Sequence, residues 1–204
     1  MEYPKINSLW KRHGWYLDEG KKTNPEYQAG RQSFIVGDYA VPEFGNIKRW
    51  QVQEKIDGTN IRIRYFSVSR SDKPAHVGFF GRTDNADIPK TLYNYLQKTF
   101  TMELLQPLFN KDDEPIIAWL FGEGYGPKIQ SGGNYRNDVG FILFDVKINE
   151  WWLEQSAVKE IAEKLGIPYA PIIGTMTEDE IISYIKSKPR SLCSINPQVM
   201  EGII

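Results

Sequence analysis

Cysteine and histidine are scarce in this sequence, which contains only Cys193, His13 and His76. A lone cysteine excludes an internal disulfide, and these residues cannot make a structural zinc site of Cys and His ligands. No stretch reaches the roughly 18 consecutive apolar residues that a membrane-spanning helix needs, and the N-terminus lacks the apolar segment of a signal peptide. We therefore expect a soluble, cytoplasmic protein.

Several widespread catalytic motifs are also missing. The sequence has no GxxxxGK[ST], HExxH or GxSxG string, so P-loop hydrolysis, zinc proteolysis and the α/β-hydrolase mechanism have no support. The glycine-rich string 122-GEGYG-126 follows a predicted strand without opening a helix, which argues against a dinucleotide fingerprint. The net charge is −1, so a nucleic-acid partner would have to meet a local basic patch.

What is present is the composition of an ordinary globular domain. The chain has 204 residues, of which 41% are hydrophobic and 25% are charged, enough to bury one core. No repeat and no low-complexity segment divides it. We therefore treat residues 1–204 as a single domain.

Strand-like patterns dominate the first half of the chain after a loop-rich beginning. Residues 50–55 and 61–68 are predicted strands, and in the second of these Ile61, Ile63 and Tyr65 share one face. Residues 57–60 lie between the two and contain Asp-Gly, which predicts a β-hairpin. Residues 34–40 are a short segment of this loop-rich beginning, and residues 76–82 are a further predicted strand.

The second half mixes helical and strand patterns without strict alternation. In chain order, the predicted segments are a helix at 89–110, a strand from 116 into a glycine-rich bend, an interior strand at 139–148, a helix at 153–165 followed by Gly166, and a capping box at 177–180 before a helix at 181–186. This order favours an α+β domain with mainly antiparallel sheets.

The string 54-EKIDGTN-60 admits two interpretations. In the first, Asp57-Gly58 forms a turn and Lys55 is a solvated flank. In the second, Lys55 is a nucleophile, which requires cations, a metal ion or desolvation to lower its pKa from the usual value of about 10.4. Asp57 would then hold Mg²⁺ through water, and its strand position would place it on the same face as Lys55.

The same string resembles motif I of the covalent nucleotidyltransferases, which include the ATP-dependent DNA and RNA ligases and the mRNA-capping enzymes. Four further strings follow it in the order of the phage-type RNA ligase 2 family: 81-GRT-83, 121-FGEGYGPKIQ-130, 141-FILFDV-146 and 201-EGII-204. Together the five resemble that family from Glu54 to Ile204. The first fifty residues carry no such motif.

The resemblance implies a nucleotidyltransferase domain, an ATP-grasp-like adenylation fold of mainly antiparallel sheets with flanking helices. It implies that the motif lysine attacks the α-phosphate of ATP, that AMP then passes to an RNA 5′-phosphate, and that a 3′-hydroxyl displaces AMP. ATP and Mg²⁺ or Mn²⁺ would be the cofactors. RNA ends or a nicked RNA duplex would be the partners of a monomer in the cytoplasm, including the cytoplasm of a phage-infected host.

Carried over residue by residue, the resemblance makes Lys55 the nucleophile. The other implied contacts are Glu54 with the adenine amino group, Asp57 and Asn60 with metal-bound water or the nucleotide, Arg82 with phosphate, Glu123 with the ribose hydroxyls, Phe141 stacked on adenine, and Glu201 with Asp57 near the metal. For Phe141 and Phe144 a place in the core is the alternative.

Two features depart from the family pattern. The RNA ligase 2 type often has His where this chain has Asp57, and the family's final lysine-containing motif does not occur before the sequence stops. We expect either a piece of a longer ligase or a protein defective in part of the pathway. The alternatives left open are a DNA ligase, a GTP-using capping enzyme, and a non-catalytic nucleotide- or RNA-binding module.

Overall fold

The computed structural model describes residues 1–13, 34–67, 75–109, 115–130 and 134–204. The strands are β1 Trp10–Arg12, β2 Phe34–Tyr39, β3 Trp50–Lys55, β4 Thr59–Ser67, β5 His76–Phe80, β6 Ile116–Tyr125, β7 Gly140–Ile148, β8 Trp151–Trp152, β9 Ile172–Met176 and β10 Gly202–Ile203. The helices are α1 Lys90–Thr99, α2 Met102–Phe109, α3 Gln155–Leu165 and α4 Glu178–Lys186, with a 3₁₀ helix at Pro42–Asn46. No helix in these ranges is long and apolar enough to span a membrane.

The main core lies on one face of a five-stranded antiparallel sheet with the strand order β5-β4-β6-β7-β8. Ile61, Ile63 and Tyr65 are fully buried on this face, which confirms the predicted alternation along β4. Leu96 of α1 and Val158 of α3 belong to the same apolar cluster. The opposite face of β4 and β6 is therefore the one that carries their polar side chains.

The predicted hairpin at residues 57–60 is wrong. β3 pairs with β9 on one edge and with β10 on the other, so neither edge is left for β4. The chain instead crosses between the three-stranded and five-stranded sheets at Ile56–Gly58. Gly58 is needed there because a Cβ atom would lie 2.3 Å from the Gly124 carbonyl oxygen. The Asp-Gly pair thus serves a crossing between two sheets.

One predicted helix is two in the structure. The segment 89–110 breaks after α1 because Phe100 leaves helical geometry, with φ −104° and ψ 75°. Its ring is buried and meets Phe141 edge-on, with centroids 5.3 Å apart. Core packing therefore outweighs the continuous helical pattern, and the predicted end at residue 110 lies outside the described residues.

The signals at the other helix ends are confirmed. Gly166 follows α3 in the left-handed conformation, with φ 64°. Thr177 and Glu180 form the capping box, with Thr177 N donating to Glu180 Oε2 at 2.7 Å. α4 begins at Glu178, earlier than predicted, because the capping residue is itself the residue before the helix. The N-terminal turn of a helix favours such acidic residues.

β6 is longer than predicted. It continues through the glycine-rich string to Tyr125, and the bend follows at Gly126, whose φ is 119°. β7 lies between β6 and β8, as expected for an interior strand. The extension of β6 matters because it places Glu123 on a strand of fixed register.

Candidate functional site

The last strand brings Glu201 to Lys55. β10 pairs antiparallel with β3, so that Gly202 lies opposite Lys55. Gln53 and Ile204 exchange backbone hydrogen bonds of 2.8 and 2.9 Å, which fix this register. The Lys55 Nζ atom donates to Glu201 Oε1, and both side chains remain partly exposed. Two residues at opposite ends of the motif series therefore form an ion pair.

The register of β4 against β6 brings Asn60 to Glu123. These residues are direct cross-strand partners and so share a face of the sheet. The two glycines that flank Glu123 face the core, where a Cβ on Gly122 would come within 2.2 Å of the Phe141 ring and one on Gly124 within 2.4 Å of Leu92. The Gly-Glu-Gly string thus admits core packing on one face and presents a carboxyl on the other.

Charged groups converge on Glu123. Burial of Glu123 raises the pKa of its carboxyl to about 8. The Lys55 ammonium and, more weakly, Arg82 lower this pKa, whereas the charges of Glu201 and Asp57 raise it. These influences place all four side chains within electrostatic range of Glu123. We call Lys55, Asp57, Arg82, Glu123 and Glu201 the charged cluster.

Asp57 belongs to this cluster, but it does not lie on a strand as predicted. β3 ends at Lys55, so Asp57 does not share a strand face with it. Asp57 lies in the crossing between the sheets, where its backbone N–H donates to the Tyr135 hydroxyl at 3.3 Å.

Arg62 supports the loop that carries Arg82. The Arg62 side chain is fully buried, and its Nε donates to the Gly81 carbonyl at 2.7 Å. Its Nη2 donates to Asp84 at 2.9 Å, and its guanidinium lies over the Phe80 ring at 5.5 Å. The loop is thus fixed on both sides of Arg82, which is itself exposed.

Glu54 points to a different environment from Lys55, as neighbours on a strand must. It is 1% exposed, and its Oε2 accepts a hydrogen bond of 2.8 Å from the Leu192 N–H. Its Oε1 has no hydrogen-bond partner among the residues that the structure describes. Burial, followed by interaction with Glu54, raises the pKa of the adjacent Cys193 thiol to about 12. Glu54 thus offers one fixed oxygen and one free acceptor.

An apolar cluster borders Glu54 and lies on the same face of the five-stranded sheet as Glu123. Ile142 of this cluster is directly opposite Glu123 in the sheet. Its buried members are Ile56, Tyr125, Tyr135, Ile142 and Ala170, with Phe144 and Cys193 packed against them. We call this group, together with Glu54, the buried cluster.

Tyr135 connects the two clusters and was missed from the sequence. It is 2% exposed, and burial raises the pKa of its hydroxyl to about 12. The hydrogen bond from Asp57 N lowers that pKa, whereas Glu54, Glu201 and Asp57 raise it through their charges. The phenol therefore lies near carboxylates of both clusters. Neither Tyr135 nor Leu192 belongs to any of the five motifs.

Phe141 lies apart from the other predicted site residues. It lies opposite Gly124 in the sheet and is fully buried in the main core, on the face away from Glu123. In this arrangement it acts as a core residue, the alternative that the sequence left open. Ile142, the neighbour of Phe141 in β7, faces the site instead, and Tyr135 packs in the same cluster as Ile142.

The carboxylates suit a hydrated hard cation better than a directly ligated one. Within the described ranges, no three Asp, Glu, His or Cys side chains are grouped so that they could together hold a metal ion. Asp57, Glu123 and Glu201 nevertheless share one electrostatic environment. Mg²⁺ usually keeps several waters and binds through one or two carboxylates, which this oxygen set fits.

Comparison with known proteins gives a family match over most of the chain. A family model described as RNA ligase matches residues 48–204, which include both clusters. No curated protein matches the sequence.

Several solved structures of the Naegleria gruberi RNA ligase are similar in fold. A variant with ATP and manganese superposes with a TM-score of 0.54 at 21% identity, covering 76% of this chain and 45% of that one. The same ligase with pyrophosphate gives 0.55 at 21% identity over the same shares. A variant with AMP and manganese gives 0.56 at 18% identity, covering 99% of this chain and 53% of that one. This chain thus spans about half the length of those ligases, and the likeness confirms the predicted α+β nucleotidyltransferase-type fold.

Proposed function

Because this chain belongs to the RNA ligase family, we propose that it performs the nucleotidyl transfer of an ATP-dependent RNA ligase, with Lys55 as the residue that carries AMP. The observation that supports this most is the ion pair of Lys55 with Glu201, two residues of separate motifs that the pairing of β3 with β10 brings together. The Lys55, Asp57, Arg82 and Glu201 charges all influence the pKa of Glu123. Family membership favours an RNA ligase over a DNA ligase or a capping enzyme.

The first step begins with the Lys55 ammonium losing a proton. Glu201, which contacts Nζ, is placed to receive it. The neutral amine attacks the α-phosphorus of ATP, a P–N bond forms, and the bond to the β-phosphate oxygen breaks with release of pyrophosphate. Arg82 offsets the phosphate charge, since phosphoryl transfer depends mainly on positioning and charge neutralisation.

The nucleoside would lie between the two clusters. The free Glu54 Oε1 is suited to accept from the adenine amino group, and the Asn60 Oδ1, also unpaired within the described part of the chain, is a further acceptor. Glu123 holds a proton at neutral pH because its pKa is raised to about 8, so it can both donate to and accept from ribose hydroxyls.

Mg²⁺ or Mn²⁺ would be held through water by Asp57 and Glu201. A bound divalent cation would neutralise phosphate charge during the transfer. The two carboxylates would orient its water shell, and Glu123, with a raised pKa, would not compete as a direct ligand at neutral pH.

In the later steps AMP passes to an RNA 5′-phosphate and a 3′-hydroxyl displaces it. We propose RNA ends or a nicked RNA duplex as the substrate. We also propose that the monomer is the active unit. ATP and RNA meet in the cytoplasm, which is the compartment we propose.

Labelled nucleotide tests the proposal. Incubation with α-labelled ATP and Mg²⁺ is expected to label the protein covalently, and Lys55→Ala is expected to remove the label. Lys164→Ala is the matched control, because Lys164 is an exposed lysine of α3 that pairs with Glu160 and belongs to neither cluster. A label that persists in Lys55→Ala would contradict the proposal.

Nucleotide and end competition then separate the alternatives. Unlabelled ATP should compete for labelling much better than GTP, which a capping enzyme would prefer. Transfer of AMP to nicked RNA in preference to nicked DNA would exclude a DNA ligase. ATP binding without labelling or pyrophosphate release would indicate a non-catalytic binding module.

A further inference from the structure

We propose that the backbone at Leu192 is part of the base-recognition machinery: its N–H fixes which atom of residue 54 faces the base, and so determines base selectivity. The inference rests on the proposed function, because it assigns the nucleotide's base to the buried cluster. It concerns a segment that carries no family motif.

The hydrogen bond itself is the first observation. Leu192 N donates to Glu54 Oε2 at 2.8 Å, and the Glu54 side chain is almost completely buried. Oε2 is occupied, and Oε1 has no hydrogen-bond partner among the described residues, so Oε1 is the oxygen left to meet a ligand. The Cys193 thiol is the neighbouring side chain that also interacts with this carboxyl. A buried acceptor without a partner is unfavourable, so this oxygen favours a base that donates a hydrogen bond to it. Adenine presents an amino group there, whereas hypoxanthine presents a carbonyl oxygen.

The second observation is that the segment holds its own position. Ser191 N donates to the Gln198 carbonyl at 3.0 Å, and Ser194 Oγ donates to the Asn134 carbonyl at 2.9 Å. Ile195 N donates to the Tyr135 carbonyl at 3.2 Å. The Leu192 side chain is 61% exposed and contributes little packing. The N–H is thus placed by the surrounding backbone, and it can be removed separately from the side chain.

A specific reversal follows for Glu54→Gln. The substitution keeps the shape of the side chain, and the Leu192 N–H still requires an acceptor. The amide oxygen therefore turns to Leu192 and the amide NH₂ faces the pocket, where it is a donor. A donor at this point favours the carbonyl oxygen of hypoxanthine over the amino group of adenine. Because the Leu192 N–H fixes the orientation of the new amide, Glu54→Gln should invert the base preference. Without that N–H the amide could rotate and would bind either base.

The experiment compares ATP with ITP, by equilibrium binding and by covalent labelling. The wild type is expected to prefer ATP by about tenfold or more, and Glu54→Gln is expected to prefer ITP by about tenfold. Leu192→Pro removes the N–H and should reduce the wild-type preference to near equality, whereas Leu192→Ala keeps the N–H and should keep the preference. The double variant with Glu54→Gln and Leu192→Pro should show neither preference.

Circular dichroism identifies any variant that fails to fold; if Leu192→Pro is one, Glu54→Gln decides the matter alone. Cys193→Ala tests the neighbouring thiol. If Cys193→Ala lost the ATP preference and Leu192→Pro kept it, the proposal would be overturned. An unchanged ATP preference in Glu54→Gln would also overturn it while leaving the proposed function intact. Normal selectivity of binding without any covalent label would overturn the proposed chemistry and support the role of Leu192. A folded wild type that binds neither nucleotide would overturn both.

Discussion

The charged cluster and the buried cluster are built in opposite ways. The charged cluster consists of side chains that remain partly open to solvent, as the Lys55 and Glu201 pair shows. The buried cluster has a single carboxylate, Glu54, enclosed by apolar side chains and held by a backbone N–H. The first arrangement suits groups that exchange protons and meet phosphates, and the second suits discrimination between ligands by hydrogen bonding.

The clusters also differ in what positions them. Sheet register places Glu201 beside Lys55 and Asn60 beside Glu123. Contacts outside regular strands place Tyr135 and Leu192. Substitution of the exposed Arg82 in the charged cluster should therefore affect the reaction more than stability, and truncation of the buried Tyr135 should do the reverse.

The largest expected effect on stability is that of Tyr135→Ala. The ring is almost completely buried and packs against Tyr125 with centroids 5.8 Å apart. Truncation of a buried aromatic side chain lowers the free energy of unfolding by about 3–5 kcal/mol. Urea denaturation followed by fluorescence measures this loss. A loss below about 1 kcal/mol would show that the buried cluster is not a packed unit.

Arg82→Ala is expected to have the opposite profile. Arg82 is exposed, so its removal should change the free energy of unfolding by less than about 0.5 kcal/mol. Loss of a charge that stabilises the transferring phosphate should slow labelling by about 100-fold. Rapid-quench measurement of labelling, beside denaturation of the same sample, checks both. Equal labelling rates would remove Arg82 from the charged cluster.

Glu123 predicts a pH effect on stability. The carboxyl titrates near 4.5 in the unfolded chain and near 8 in the folded protein, where burial raises its pKa. Between these values the folded protein holds a proton that the unfolded chain has lost, so the free energy of unfolding should fall as the pH rises. Glu123→Gln should flatten this part of the profile. Denaturation at a series of pH values measures it, and an identical slope in the variant would contradict the assignment.

Asp84→Asn should have the smallest effect. Asp84 pairs with the buried Arg62 at 2.9 Å, but its own side chain is 66% exposed. A pair with such an exposed carboxylate contributes little to stability, and asparagine keeps an acceptor for the Arg62 guanidinium. Labelling should fall by less than about threefold, since Arg62 still bonds to the Gly81 carbonyl. A loss as large as that in Arg82→Ala would show that Asp84 itself takes part in the site.

The charged cluster was more predictable from the sequence than the buried cluster. The charged residues could be predicted because they belong to ordered motifs, and the pairing of Lys55 with Glu201 in the structure is consistent with that prediction. The hairpin was wrong because local Asp-Gly geometry does not determine which distant strands, here β9 and β10, pair with β3. The register of β7, with an irregularity beside Gly122, determines that Phe141 faces the core. Leu192 contributes a backbone N–H, which no side-chain pattern reveals.

Covalent AMP on Lys55 is the central claim, and mass spectrometry tests it most directly. After incubation with ATP and Mg²⁺, the intact protein should gain the mass of one adenylyl group, and fragmentation should locate it on the peptide that contains Lys55. The same treatment of Lys55→Ala should give no gain. A gain located on any other residue, or no gain by a folded protein that binds ATP, would contradict the account.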